Sequence, residues 1–319
     1  MVSASRPLEL FHMDMFGPSR TMSLGGNYYG LVIVDDYSWF KWTLFIAIKD
    51  ETYHAFKRLS KIIQNEKNCG ISSTKSDHGR EFQNEKFDKF CSKFGIKHNF
   101  SAPRTPQQNG VVERKNRSLE ELARTLLNET NLPKYFWADT VSTTCYVLNR
   151  VLIRPILKKT PYELFKGRKP NISHLKVFGC KCFILNNEKD NLGKFDSKAD
   201  EGIFLGYSLH GHAYRAYNRR TMLVEKSMHI AFDETNQNML ESPKAGAENK
   251  VPTEQLVDTG LEKRTEEASK LLKIQSIEQG IQSIESGAGA DIFNSRLPKN
   301  WSAQKFVIRQ CHWSSSEIN

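Results

Sequence analysis

Residues 28–48 read YYGLVIVDDYSWFKWTLFIAI, and this stretch decides the class of fold. Two runs rich in Val, Ile and aromatic residues, 28–34 and 40–48, are separated by the polar sequence Asp35-Asp36-Tyr37-Ser38. Runs of this composition predict strands, and clustered Asp and Ser residues are typical of a turn. The stretch therefore predicts a β-hairpin.

The hairpin is preceded by another apolar run, residues 8–15, which contains one acid, Asp14. After it, apolar residues recur at helical spacing in two segments, and two short strand-like runs follow them in alternation. Three strands and then alternating helices and strands predict an α/β fold with a mixed sheet. The alternating elements are expected at residues 51–66, 71–75, 85–94 and 96–100.

The rest of the chain contains two further regions that differ in amino-acid composition. Short apolar runs broken by Gly and Asn fill residues 175–235 and predict a small antiparallel barrel. Beyond it lies a segment with few aromatic residues, which contains a tandem repeat at 274–280 and 281–287. This composition predicts a disordered, low-complexity linker. The predicted domains are a core at 1–150, a helical linker at 151–174, the barrel at 175–235 and the tail at 236–319.

Charge points to a polyanionic partner. The chain has 46 Lys and Arg against 36 Asp and Glu, a net charge of +10. Residues 236–319 hold 10 basic and 11 acidic residues, so residues 1–235 hold 36 and 25, a net charge of +11. An excess of positive charge that is confined to the part predicted to fold is typical of a nucleic-acid-binding protein. A basic surface that only keeps the protein soluble would have the same composition. No apolar run approaches the roughly 18 residues of a membrane-spanning helix, so no membrane partner is expected.

Three acids occupy positions suited to a metal site. Asp14 lies inside the first predicted strand, Asp77 follows the strand at 71–75, and Glu113 lies one turn into a helix that follows a loop with two prolines. Thirty-five residues separate Asp77 from Glu113. Taken singly, a strand-end Asp or a first-turn Glu is ordinary turn and helix chemistry, so position and spacing alone leave a structural role open.

The sequence around these acids resembles the integrase of copia-type long-terminal-repeat retrotransposons. The resemblance covers residues 5–235, and its combination of Asp, Asp, a 35-residue gap and Glu with Pro-Gln-x-Asn-Gly is highly specific. The motifs that carry it are His12-Met-Asp14-Met-Phe-Gly17-Pro18, Lys75-Ser-Asp77-His-Gly79-Arg-Glu81-Phe82 and Thr105-Pro-Gln-Gln-Asn-Gly110-Val-Val-Glu113-Arg-Lys-Asn-Arg117.

The resemblance implies a ribonuclease-H-like core followed by a Src-homology-3-like barrel. It also implies that Asp14, Asp77 and Glu113 are the catalytic, metal-binding acids, which would hold two Mg²⁺ or Mn²⁺ ions for joining DNA 3′ ends to target DNA. Carboxylates suit these ions, whereas His and Cys would select zinc, and no zinc is expected in this chain. The expected partners are double-stranded DNA and further copies of the chain, and the expected location is the nucleus. DNA contacts are expected from Gln107, Gln108, Asn109, Arg114, Lys115 and Arg117.

Two departures from the family pattern leave a second hypothesis open. His78-Gly79-Arg80 stands where the family usually has Asn-Gly-Gly, and the family's His/Cys zinc domain is not found ahead of Asp14. A catalytically silent DNA-binding fragment of a retrotransposon polyprotein is therefore the alternative to an active integrase. A nuclease of the same fold without joining activity is a third hypothesis.

Overall fold

A computed structural model describes residues 4–101, 110–186, 195, 197–208 and 211–234, without the side chains of residues 111, 114 and 115. The predicted tail at 236–319 lies outside these residues. Among these residues, the first part of the chain forms five strands and five α-helices, and the second part forms five strands. They are β1 Leu10–Phe16, β2 Tyr29–Asp35, β3 Lys41–Ile46, α1 Thr52–Lys67, β4 Ser73–Ser76, α2 Glu85–Phe94, β5 Lys97–Phe100, α3 Gly110–Glu129, α4 Trp137–Val151, α5 Pro161–Lys166, β6 Lys181–Leu185, β7 Ala199–Tyr207, β8 Tyr214–Asn218, β9 Leu223–Ser227 and β10 Ile230–Asp233.

The first sheet is mixed and has the strand order β3-β2-β1-β4-β5. The first three strands are antiparallel, as the hairpin at residues 28–48 predicts, and β4 and β5 run parallel to β1. Strand β1 is therefore central, with β2 on one side and β4 on the other. This order places the residue after β4 beside the middle of β1.

Helices cover both faces of this sheet, which explains why β2 is apolar at successive positions. Leu31 and Ile33 pack with α1 and α2, whereas Val32 and Val34 pack with α3 and α4. Local sequence fixes the helix ends: the side chain of Asn84 accepts a hydrogen bond from the Phe87 amide at the start of α2, and Gly95 ends that helix at φ +64°. In β1, Phe11 and Met13 join the α1–α2 side, so Asp14 faces α3.

The second sheet is antiparallel throughout, in the order β10-β6-β7-β8-β9. The sequence suggests one strand-like run at 223–230, but the structure divides it into β9 and β10. The amide of His229 donates to Ser227 Oγ over 3.1 Å in the turn between the two strands. The predicted fold class, a ribonuclease-H-like mixed sheet with flanking helices followed by a small all-β unit, is confirmed.

Helix α4 joins the two sheets. Thr143 donates to the carbonyl of Leu205 in β7 over 2.6 Å, and Arg215 of β8 forms a 2.7 Å ion pair with Asp139. Gly206 has a φ of +143°, and a Cβ there would lie 2.1 Å from Thr143 Oγ1, so only glycine permits this approach. Because packing is continuous across this contact, the domain boundaries stay a prediction.

The segment between the sheets is anchored to the core through α5. Thr160 and Glu163 form a capping box at the start of α5, and Phe165 is buried against Phe40 and Trp42. No helix in the described part of the chain combines the length and the apolar character that crossing a membrane requires.

Candidate active site

Asp14 is the acid that the fold encloses most. It is half-buried near the middle of β1, opposite Val32, on the face that α3 covers. Its Oδ1 accepts a 3.0 Å hydrogen bond from the Met15 amide, and its Oδ2 accepts a hydrogen bond from Nδ2 of Asn116. Within the described part of the chain, no Lys, Arg or His side chain forms an ion pair with Asp14.

The parallel pairing of β1 and β4 brings Asp77 to the same place. The last recorded pair of that ladder is His12 with Lys75, and the same register continued by two residues sets Asp77 level with Asp14. Asp77 is exposed at the carboxyl end of β4, the edge of an α/β sheet at which sites commonly form. Its Oδ1 accepts from the Gly79 amide over 3.2 Å, which shapes the turn that follows.

Helix α3 supplies the third acid. Glu113 is exposed in the first turn of α3, and Asn116 follows it by three residues, one helical turn further along. Asn116 is buried, and its hydrogen bond to Asp14 joins positions 102 residues apart. This hydrogen bond holds the beginning of α3 against β1, so that Glu113 lies near Asp14.

The electrostatics agree with this convergence. Burial raises the pKa of Asp14 to about 6, although the hydrogen bonds from Asn116 and Met15 oppose the rise, and the negative charges of Asp77 and Glu113 add to it. The three acids therefore act on one another, but they are not gathered into a preformed cage. Among the described residues, no group of three or more His, Cys, Asp or Glu side chains is placed to hold a metal ion.

Two residues at this site were not assigned a role from the sequence. Asn116 is one, and its Oδ1 is buried with no hydrogen-bond partner among the residues that the structure describes. Glu120 is the other: burial raises its pKa, the nearby Arg124 guanidinium opposes the rise, and the charge of Asp14 adds to it. The available signal was helical spacing, because residues 113, 116 and 120 recur at steps of three and four along α3.

His78, the departure from the family motif, has a packing role in the structure. Its ring stacks on Phe100 at 4.9 Å between centroids, with an interplanar angle of 15°. Phe100 in turn contacts His98, whose Nε2 lies 3.0 Å from Ser76 Oγ. The substitution is thus accommodated by an aromatic stack beside Asp77.

Most of the residues expected to contact DNA lie outside the part of the chain that the structure describes. Gln107, Gln108 and Asn109 lie outside the described residues, and so do the side chains of Arg114 and Lys115, whose backbone belongs to α3. Arg117 is exposed one turn after Glu113. Their contacts with DNA remain a prediction.

Two family models match the chain. The integrase core domain matches residues 4–106, and the retroviral polymerase SH3-like domain matches residues 180–245. The first match spans the strands that carry Asp14 and Asp77, and the second begins at the antiparallel sheet.

The chain is also similar to curated polyproteins of plant retrotransposons. It is 34% identical to the retrovirus-related Pol polyprotein from transposon TNT 1-94 of Nicotiana tabacum, over 72% of this chain and 17% of that protein. It is 32% identical to the corresponding polyproteins from transposons RE1 and RE2 of Arabidopsis thaliana, over 73% of this chain and 16% of each. The chain thus spans about one sixth of the length of these relatives.

Solved structures that resemble the chain include a simian T-cell lymphotropic virus intasome in complex with the PP2A regulatory subunit B56 gamma. The TM-score is 0.43 at 16% identity, over 71% of this chain and 81% of that one. The HTLV-2 integrase catalytic core domain in complex with magnesium has a TM-score of 0.40 at 21% identity, over 50% and 98%. From the family models and the plant relatives together, the chain comprises an integrase core domain and a retroviral SH3-like domain, homologous to those of copia-type retrotransposon Pol polyproteins.

Proposed function

We propose that the chain is a metal-dependent polynucleotidyl transferase that joins the 3′ ends of retrotransposon DNA to target DNA. One observation carries the proposal: the hydrogen bond between Asn116 and Asp14 holds Glu113's helix against the strand that lies beside Asp77. This contact supports the proposal that three acids, from a central strand, a strand end and a helix, share one site. The match of residues 4–106 to the integrase core domain, which includes Asp14 and Asp77, supports this reading.

The donor set fits Mg²⁺ or Mn²⁺. Carboxylate oxygens are the ligands that these hard cations prefer, and Asp14 has a raised pKa because it is buried beside two other acids. A positive charge at this position would relieve that repulsion, as bound ions commonly do in such sites. We propose that Asp14, Asp77 and Glu113 hold two such ions, which when bound would supply Lewis-acid activation of the hydroxyl and the phosphodiester.

The chain's own groups prepare the site. The amides of Met15 and Asn116 fix both oxygens of Asp14, so its orientation is set before any substrate arrives. Asp77 and Glu113 are exposed, so that a cation can reach them from solvent. No protein nucleophile is needed, because the attacking group is the DNA 3′-hydroxyl, so these residues contribute positioning and electrostatics.

Cations and partners complete the proposal. The expected DNA-contact residues lie on both sides of Glu113 in the sequence and would bind the phosphates that flank the reacting bond. They are Gln107, Gln108, Asn109, Arg114, Lys115 and Arg117. We further propose that the active form is a multimer on double-stranded DNA and that it works in the nucleus. Sedimentation of the chain with and without DNA tests the first of these, and imaging of a tagged chain tests the second.

The test is a strand-transfer and disintegration assay on branched DNA with Mg²⁺ or Mn²⁺. Asp77→Asn keeps the size of the side chain and removes a charged ligand, so activity should fall at least about 100-fold. Asp88→Asn is the control, because Asp88 is an exposed acid of α2 away from these carboxylates. DNA affinity and thermal stability should be unchanged in both variants.

The alternative function is a catalytically silent DNA-binding fragment. The observation in its favour is that the described residues do not present a gathered three-ligand metal group. A wild-type chain that binds DNA but shows no metal-dependent joining or disintegration would establish this alternative. An Asp77→Asn variant that unfolds would instead mark Asp77 as a structural acid.

A further inference from the structure

A concentration of positive charge that the proposed active site does not use lies in the segment that joins the two sheets. Residues 151–174 contain six Lys and Arg and one acid, Glu163. That acid is occupied: Oε2 of Glu163 accepts from the amide and the hydroxyl of Thr160 in the capping box, over 2.8 and 2.9 Å. The segment therefore presents cations with almost no internal neutralisation.

Two of the six cations are used by the fold. Arg154 is buried, donates to the carbonyls of Asp36 and Tyr37, and lies 4.5 Å from the Trp39 ring centroid. Lys166 forms a 2.5 Å ion pair with Glu66 of α1. These contacts, together with buried Phe165, fix the segment on the core rather than leaving it as a loose tether.

The other four cations are exposed: Lys158, Lys159, Arg168 and Lys169. None of them forms an ion pair with any carboxylate in the part of the chain that the structure describes. Lys158 and Lys159 precede α5, and Arg168 and Lys169 follow it, so they flank a helix of six residues. Such a helix is about 9 Å long, which separates the two pairs by roughly the width of the DNA major groove, about 12 Å.

We propose that these four residues, the α5 platform, bind the phosphate backbone of double-stranded DNA as a second contact surface beside the proposed active site. Unpaired cations held on a rigid support repel one another in the free protein, and a polyanion relieves that repulsion by displacing their counterions. A flexible, solvated linker would gain less binding free energy from the same contacts, because DNA would have to order it on binding. The inference rests on the proposed function for its choice of DNA.

The platform and the acids occupy different parts of the sheet. Arg154 and Phe165 attach the segment at Asp36, Phe40 and Trp42, beside the edge strand β3. Asp36 lies four residues along the chain from Val32, the partner of Asp14, or roughly 13 Å at 3.3 Å per residue. DNA on the platform would therefore extend past the reacting bond and fix the orientation of the duplex.

The experiment compares two charge-reversal variants of the full chain on a 30-bp duplex by fluorescence anisotropy across a KCl series. The platform variant replaces Lys158, Lys159, Arg168 and Lys169 with Glu. The matched control replaces Arg58, Lys86, Lys93 and Lys97 with Glu, also one Arg and three Lys, all exposed on α1, α2 and β5. At 100 mM salt the platform variant should lose at least tenfold in affinity, and its log–log salt slope should fall by about three to four, at 0.9 per phosphate contact.

Equal losses in the two variants would overturn the proposal, since net charge alone would then explain binding. Preference for single-stranded RNA, lost in the platform variant, would assign the surface to another polymer and would also overturn it. Lys158→Gln with Lys159→Gln is the milder variant if the fourfold change unfolds the chain, and it should lower the slope by about two. Binding that depends on the platform in a chain without joining activity would refute the proposed function and leave this inference standing.

Discussion

Asp14 in the first sheet and Asp200 in the second show how differently the negative charges of two strand acids are compensated. In the second sheet, Asp200 of β7 is neutralised by the chain itself: Arg220 donates to it through Nε and Nη2 over 2.8 and 2.7 Å, and Asn218 donates over 2.8 Å. In the first sheet, Asp14 receives two amide hydrogen bonds and has two acids beside it. A structural carboxylate is paired internally, whereas Asp14 is left to be compensated from outside.

The largest effect expected from this contrast is a loss of stability in the second sheet. Asp200→Ala removes both hydrogen bonds to Arg220 and leaves the amide of buried Asn218 short of an acceptor. Arg220 is more than half exposed, so water can solvate it once Asp200 is removed, and the free energy of unfolding should fall by about 1–3 kcal/mol, mainly through the buried Asn218 amide. Thermal and urea unfolding measure it, with Asp50→Ala at an exposed position as control. A loss below about 1 kcal/mol would show that the Arg220 pair contributes little and would weaken the contrast.

A smaller effect of opposite sign is expected at Asp14. Its folded-state pKa of about 6 lies above the ordinary 3.8, so ionisation disfavours the metal-free fold, and stability from this group falls as pH rises from about 4 to 6. Asp14→Asn should therefore be more stable than wild type by about 1–2 kcal/mol at pH 7. That advantage should shrink as pH falls and should vanish below about pH 4.

The measurement is chemical unfolding of both proteins between pH 4 and pH 8 in the presence of a metal chelator. Asp88→Asn, which changes an exposed acid, provides the baseline for a neutral amide replacing a carboxylate. An Asp14→Asn variant that is less stable than wild type at pH 7 would mean that the charged carboxylate supports the fold, as Asp200 does. The distinction between the two sheets would then be wrong.

Local sequence predicts the elements well and their long-range contacts poorly. The turn at Asp35-Asp36 and the apolar runs beside it predict β2 and β3, and the spacing of aromatic residues predicts α2 with its bounds as found. The division of residues 223–230 into two strands was missed, because this stretch, LVEKSMHI, contains no Gly, Pro, Asn or Asp to mark the turn at Ser227. Amino-acid composition indicates β-propensity, but it does not indicate where a turn divides one strand from the next.

The candidate site divides in the same way. The three acids could be selected from motifs, and the parallel order of β1 and β4 explains why two of them are neighbours. The hydrogen bond from Asn116 to Asp14 could not be predicted, because it joins residues 102 positions apart and depends on how α3 packs on the sheet. The docking of Phe165 into the core was missed for the same reason, since six helical residues carry no signal of what they will contact.

If a divalent cation compensates the charge of Asp14, as we propose, the titration of that carboxyl must change when the cation binds. Carbon-13 NMR of labelled aspartate, with Asp14→Asn to assign the signal, gives the carboxyl pKa in the metal-free chain and with saturating Mg²⁺. We expect the Asp14 carboxyl to have a pKa of about 6 without metal and a clearly lower pKa when Mg²⁺ is added, because the cation favours the ionised form. A metal-free pKa near 4, or a pKa that Mg²⁺ leaves unchanged, would contradict this proposal.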